Sequence, residues 1–317
     1  MISVLFFALS LAQPRQSRGL PEEHLQAPRE AGSSKGPLYL GTGISLAWRS
    51  SPGFRCETRQ TEENPTVPDS RSHRGPHPED AELFAPTEWE KLRQATYDLS
   101  WLLTRGYVNP SALTLVGNRY RLTARQRLAV ERSACGDREL IARRARRLDP
   151  SAVKGCRILI DGYNVLTTVE AALGKGVLLL ARDSTYRDMA SMHGHYRKVA
   201  ETVPALELIG KTLEQLEVPE AVWFLDRPVS NSGRLQALIK SVAESHGWVW
   251  EVELVNSPDP ILMEASEPVA TADSVVLDYC GNWLNLGRLT VERFIPEASV
   301  IDLACPPDPF PDQGNHP

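Results

Sequence analysis

The 317-residue sequence lacks most of the short signatures that would assign a chemistry outright. It has no G-x-x-x-x-G-K-[ST] loop and no G-x-G-x-x-G turn, so a phosphate-loop nucleotidase and a dinucleotide-binding protein both lose their motif. No nucleotide cofactor is expected. No G-x-S-x-G elbow stands between a strand and a helix, which removes the usual serine-hydrolase signature. Asp161-Gly162-Tyr163 lacks the second aspartate, two residues on, that a haloacid-dehalogenase-like phosphatase would carry.

Cysteine is sparse: the five residues Cys56, Cys135, Cys156, Cys280 and Cys305 are scattered, odd in number and never spaced C-x-x-C. That excludes a zinc ribbon and a disulfide framework and favours a reducing, cytoplasmic location. Positive charge is also missing globally, because the net charge is −5 and the pI about 5.9. Any nucleic-acid contact must therefore come from a local patch. Long apolar runs are absent too. The run from Ile2 to Ala12 imitates a signal peptide, but no Lys or Arg precedes it and it is too short to span a bilayer. No membrane association is expected.

With 42% hydrophobic and 24% charged residues, the chain has enough apolar material for a sizeable core. That material is unevenly distributed. Between Gln13 and about Asp80 the sequence is rich in Pro, Ser, Gly, Arg and Glu with little periodicity, so it cannot bury enough surface to offset ordering entropy. Residues 1–84 are accordingly expected to form a disordered extension, or one translated from a start upstream of the true one, and residues 306–317 a disordered tail. Helical spacing starts near Glu88, with Leu92, Ala95, Leu99, Leu102 and Leu103 on one face up to Arg105-Gly106. Asn109-Pro110 suits a second helix start, Thr123 an N-cap, and Asp137 the cap of another helix reaching Leu148. Residues 85–150 thus read as a small all-helical module. Ten arginines lie between Arg119 and Arg147, at 119, 121, 125, 127, 132, 138, 143, 144, 146 and 147. Against them stand only Glu131, Asp137 and Glu139, so this is the local basic patch, fit either to hold phosphates or to pair with the acidic remainder of the chain.

Residues 151–305 change to strand and helix alternation, which predicts an α/β domain with a mostly parallel sheet and helices on both faces. Strands are expected at Arg157–Ile160, Ala221–Leu225, Trp248–Val255, Val269–Thr271 and Ser299–Leu303, and helices at Leu206–Leu216 and Ser232–Ser245 with Asn231 as a cap. In such a sheet ligands bind at the carboxyl ends of the strands, where Asp161, Asp226, Asp259 and Asp273 would meet. Carboxylates so crowded need compensation, and Mg²⁺ or Mn²⁺ would supply it. Asp161, Asp226 and Asp273 are the candidate catalytic residues, and the same three with Asp259 the candidate metal ligands. SNSGRL, Ser230 to Leu235, could grip a phosphate through backbone N–H groups, Asn231, Arg227 and Arg234, or be a plain capped turn. The run YRDMASMHGHYRKV, Tyr186 to Val199, shows no hydrophobic face and offers Arg187, His193 and Arg197 as a substrate loop.

ILIDGYNVL, Ile158 to Leu166, resembles the first strand and turn of the NYN branch of PIN-like ribonucleases, with AVWFLD, SPDPILME and ATADSVVLD following in the order of that family's later acid-bearing segments. The resemblance covers roughly Arg157 to Leu303. It implies a PIN-like fold, metal ligation by Asp161, Asp226, Asp259 and Asp273, and a positioning or phosphate-binding role for Asn164. The sequence departs from it where only fourteen residues separate Asp259 from Asp273 and where RPVSNSGRL follows Asp226. The stretch from Thr96 to Leu303 is also similar to an uncharacterised prokaryotic family, domain of unknown function 434 with its C-terminal partner domain, through YDLSWLLTRGY, YRDMASMHGHYRKV and DRPVSNSGRL. The leading expectation is a metal-dependent ribonuclease whose arginine-rich module holds RNA. A non-catalytic RNA-binding protein and a small-molecule phosphatase are the alternatives.

Overall fold

The computed structural model describes residues 73–189 and 196–304. Order begins before the periodic helical pattern does, because α1 (Asp80–Leu83) precedes α2 (Pro86–Thr104) and Phe84 between them is buried. Pro86 opens α2, where a missing N–H forgoes no intrahelical bond. Leu92, Ala95, Leu99 and Leu102 form its buried stripe. α3 (Asn109–Arg119) and α4 (Ala124–Ser133) follow. Thr123 Oγ1 accepts from the Gln126 backbone N–H while Gln126 Oε1 accepts from that of Thr123, a reciprocal cap that fixes the start of α4. α5 (Asp137–Arg146) is capped by Gly136, so Asp137 is its first residue and not its cap.

A single 3-10 turn (Pro150–Val153) leads into the α/β part. Its elements are β1 (Arg157–Asp161), α6 (Gly162–Leu173), β2 (Leu178–Leu180), β3 (Tyr186–Asp188), α7 (Thr202–Gln215), β4 (Glu220–Asp226), α8 (Ser232–His246) and β5 (Val249–Val255), then α9 (Asp259–Met263), β6 (Val269–Ala270), α10 (Ser274–Tyr279), β7 (Trp283–Leu284), α11 (Leu286–Phe294) and β8 (Val300–Asp302). Five strands make one sheet in the order β5-β4-β1-β6-β7, and every pairing in it is parallel. Chain direction around the sheet therefore reverses between β1 and β6. In doubly wound sheets that reversal opens a crevice at the carboxyl ends of the two strands.

The sheet is buried on both faces, as its continuous apolar strands require. Ile158 and Ile160 of β1 with Ala221, Trp223 and Leu225 of β4 face the layer of α6, α7, α8 and α11. The intervening Leu159, Val222 and Phe224 face α9 and α10 through Leu262, Val276 and Leu277. A one-residue slip of β1 would exchange these two sets. Gly247, at φ 72°, ends α8 in the left-handed conformation.

The expected strand at Ser299–Leu303 exists as β8 but belongs elsewhere. It lies parallel to β2, which pairs antiparallel with β3, in a separate three-stranded sheet. The apolar side of that sheet, with Leu179, Met189, Ile301 and Leu303, shares one core with Leu92, Leu99, Val116 and Val130 of the helices. The helices thus complete their core on strands that follow them in the chain. The Tyr186–Val199 run is reassigned in part: Tyr186, Arg187, Asp188 and Met189 are buried, and the first three form β3. Residues 190–195 lie outside the described residues, and Arg197 and Lys198 beyond them are exposed on a loop. No helix among the described residues is long and apolar enough to cross a membrane.

Candidate acidic site at the carboxyl ends of the strands

β1 delivers Asp161 at its last position, and α6 starts at the next residue. That abrupt change of direction brings the helix against β4. A Cβ on Gly162 would stand 2.6 Å from Leu225 Cδ2 and 2.8 Å from the Phe224 carbonyl oxygen, so only glycine fits. Asn164, one turn into α6, accepts from the Ala272 backbone N–H at 2.8 Å and ties this corner to the segment after β6. Asp273 caps α10, its Oδ1 accepting from Val275 and Val276. Asp259 opens the short α9, and Asp226 ends β4.

These placements bring Asp161, Asp226, Asp259, Asp273 and Asn164 onto one cavity of about 330 Å³, at the β1/β6 crevice. Arg187 lines it as well, together with Arg132, Tyr163, Thr167, Thr168 and Asp188. No described Lys, Arg or His forms an ion pair with any of the four aspartates first named. Burial pushes the Asp161 carboxyl up to about 7, partly offset by the Thr271 hydroxyl donating to Oδ2 at 2.7 Å and reinforced by the charges of Asp273, Asp259 and Asp226. Burial and then Asp259 raise Asp226, and burial and then Asp273 raise Asp259.

Hard oxygen donors of this kind suit Mg²⁺ or Mn²⁺. Among the described residues, no three acid, histidine or cysteine side chains are arranged to enclose an ion on their own. Mg²⁺ in particular is commonly held by one or two carboxylates and completed by water and substrate phosphate, and Asp161, Asp226, Asp259 and Asp273 would be the carboxylates to hold it.

The other candidate residues fare differently. Arg187 is buried and committed to structure: Nη2 reaches Asp183 at 2.7 Å, Nε the Ala272 carbonyl at 2.8 Å and Nη1 the Arg132 carbonyl at 2.6 Å. Arg227 folds onto the Leu254 carbonyl at 2.7 Å, and Arg234 reaches Asn231 Oδ1 at 3.4 Å. Asn231 adopts φ 67° and its side chain does not cap α8; instead Nδ2 donates to the Tyr196 carbonyl. None of Arg197, Arg227, Asn231 and Arg234 lines the cavity, and His193 lies outside the described residues.

The arginine cluster divides in two. Arg143 bridges Asp183 and Asp278, Arg146 caps α10 through the Leu277, Asp278 and Cys280 carbonyls, and Arg125 holds the buried Asp80. Arg121, Arg138, Arg144 and Arg147 remain exposed and without an acidic partner among the described residues. Sequence reasoning passed over Tyr163 and Thr271, and it placed Asp188 only within a polar run read as a loop. Tyr163 stands inside the quoted D-G-Y-N turn, whereas Asp188, behind Arg187 in β3, carries no pattern that sets it apart.

Fold and cavity together define a doubly wound α/β protein with an uncompensated acidic pocket, joined to an arginine-bearing helical module. Residues 91–146 match the family described as a protein of unknown function (DUF434), and residues 150–289 the domain of unknown function DUF5616. Uncharacterized protein MJ0935 of Methanocaldococcus jannaschii is 32% identical over 186 residues, spanning 59% of this chain and 88% of its own length. The chain belongs to the same uncharacterised family as that archaeal protein. No solved structure matches it.

Proposed function

We propose that this protein is a metal-dependent ribonuclease of the PIN-like type. The observation that carries the reading is the cavity itself: four aspartates at or just beyond the ends of parallel strands, three of them, Asp161, Asp226 and Asp259, with raised carboxyl pKa values, and none with an ion-pair partner among the described residues. A structural acid cluster would be paired; this one is left for something that binds. Mg²⁺ or Mn²⁺ held by Asp161 with Asp226, Asp259 or Asp273 would neutralise that charge, activate water and polarise a phosphodiester.

The chain's own residues supply the rest. Thr271 holds Asp161 in one rotamer, Asn164 locks the β1 corner to the Asp273 loop, and the α10 backbone fixes Asp273 through two hydrogen bonds, so the acid constellation is rigid before substrate arrives. The exposed arginines of the helical module would hold the phosphate chain outside the pocket. One observation favours the non-catalytic RNA-binding alternative, namely that no three acids enclose an ion unaided.

The test is cleavage of labelled total RNA by the full chain with Mn²⁺ or with EDTA, beside Asp161→Asn. Metal-dependent cleavage that disappears in the variant is expected. RNA retention on a filter without cleavage would replace the enzyme by the binding protein.

A further inference from the structure

The cavity wall holds one polar atom that the acid constellation leaves unexplained. Tyr163 is 4% exposed and lines the cavity, yet its hydroxyl has no hydrogen-bond partner among the described residues. A buried hydroxyl without a partner costs on the order of 1–3 kcal/mol, a cost that a ligand in the cavity would remove. The ring cannot swing away to find water, because it packs against Tyr196 with centroids 5.3 Å apart and belongs to the main core. A phenol is protonated near neutral pH, so the hydroxyl is a donor and not a base. The hydroxyl makes no hydrogen bond to Asp226 or to any other described group, so its proton is unspent and can be donated to a ligand oxygen.

Building on the ribonuclease reading, we infer that the Tyr163 hydroxyl is a substrate-binding donor that grips a non-bridging oxygen of the phosphate placed in the acidic cavity. A phosphate oxygen suits the position for two reasons. It is a strong acceptor with no proton of its own, so it meets the phenol without competing for a donor. It also brings negative charge, which the four aspartates lining the cavity oppose until a cation is present, so the contact should form only together with the ion. The guanidinium of Arg187 stands on the same cavity but is spent on Asp183 and two carbonyls, so it is not the donor for a ligand there.

The experiment compares full-length wild type with Tyr163→Phe, which deletes one oxygen and keeps the ring packing. Binding of a fluorescent oligoribonucleotide is measured by anisotropy in Ca²⁺ and in EDTA, Mn²⁺ binding is measured alone by calorimetry, and cleavage is followed in Mn²⁺. The variant is expected to bind the oligonucleotide about tenfold more weakly in Ca²⁺, a typical loss for one hydrogen bond to a charged group, with Mn²⁺ affinity unchanged and the ligand-free thermal midpoint equal or higher. Equal oligonucleotide affinity in the two proteins, with cleavage by both at the same rate, would overturn the inference and leave the ribonuclease reading standing. A tenfold loss of Mn²⁺ affinity without a change in oligonucleotide binding would overturn it in favour of a metal-bound water as the acceptor. A wild type that neither binds nor cleaves the oligonucleotide would overturn both readings together.

Discussion

Two buried aspartates, Asp161 and Asp183, answer the same physical problem in opposite ways. Both are nearly sealed from solvent, Asp183 at 1% exposure and Asp161 at 9%. Asp183 accepts from Arg143 and Arg187 at 2.6 and 2.7 Å and from Thr185 at 2.7 Å. Burial alone would raise its carboxyl, but the two guanidiniums and the threonine hydroxyl overcome that and hold it well below the usual range. Asp161 receives one hydroxyl and faces three further carboxylates, so burial prevails and its carboxyl rises to about 7. The compensated acid joins β3, α5 and α10 into one body. The uncompensated acid carries an imbalance that a proton or a cation would relieve.

The largest expected effect breaks the compensated side. Asp183→Asn leaves Arg143 and Arg187 buried with too little negative charge, at a cost of ~3–5 kcal/mol. For a domain of this size the thermal midpoint should fall by roughly 10 °C. Differential scanning calorimetry measures it, and a shift of only one or two degrees would show that water reaches the pair and that the two aspartates differ less than their surroundings imply.

The next effect concerns pH and has opposite sign for the two residues. A carboxyl raised in the folded state takes up a proton more readily folded than unfolded, so stability falls as pH climbs from the unfolded pKa of ~3.9 to about 7. A depressed carboxyl contributes stability above the unfolded pKa and loses it in acid. Metal-free Asp161→Asn should therefore gain stability over wild type above pH 7 and lose that advantage near pH 4. Saturating Mn²⁺ should reverse the order above pH 7, stabilising wild type by ~2.7 kcal/mol at one hundred times its dissociation constant and leaving the variant nearly unmoved. Below pH 6 the Mn²⁺ effect should fade, because the ion must displace the proton on Asp161. Melting curves at four pH values with and without Mn²⁺ decide it. A metal effect independent of pH would mean that the ion sits away from Asp161.

The asymmetry between these sites also explains what could be read from residues alone. β1 and β4 each end an apolar run in aspartate, so strand, direction and candidate ligand were legible together at Asp161 and Asp226. Asp259 and Asp273 were legible because each follows a strand and starts a helix. β2 and β7 were not, since three and two residues are too short to show a period. Arg187 resembled a substrate ligand because a charged side chain in sequence looks exposed until its partner is known. Here the partner lies four residues earlier, brought opposite by the turn through Ser184 at φ 69°. The same blindness applied to the arginine cluster, in which charge density was visible and the division between pinned and exposed members was not.

That division yields the smallest effect and the sharpest contrast. Arg138 and Arg144 project from the exposed side of α5, while Arg143 of the same helix is buried between Asp183 and Asp278. Replacing the exposed pair by Ala should change stability by no more than ~0.5 kcal/mol, as surface substitutions do. If they hold phosphates, the slope of log affinity for single-stranded RNA against log salt should become shallower by about 1 to 2, each lost contact retaining about 0.7 counterion. Filter binding across a salt series gives that slope directly. An unchanged slope with unchanged stability would show that Arg138 and Arg144 hold no phosphate and would leave Arg121 and Arg147 as the exposed arginines to test, the pinned ones being those that hold α10, Asp80 and the second sheet in place.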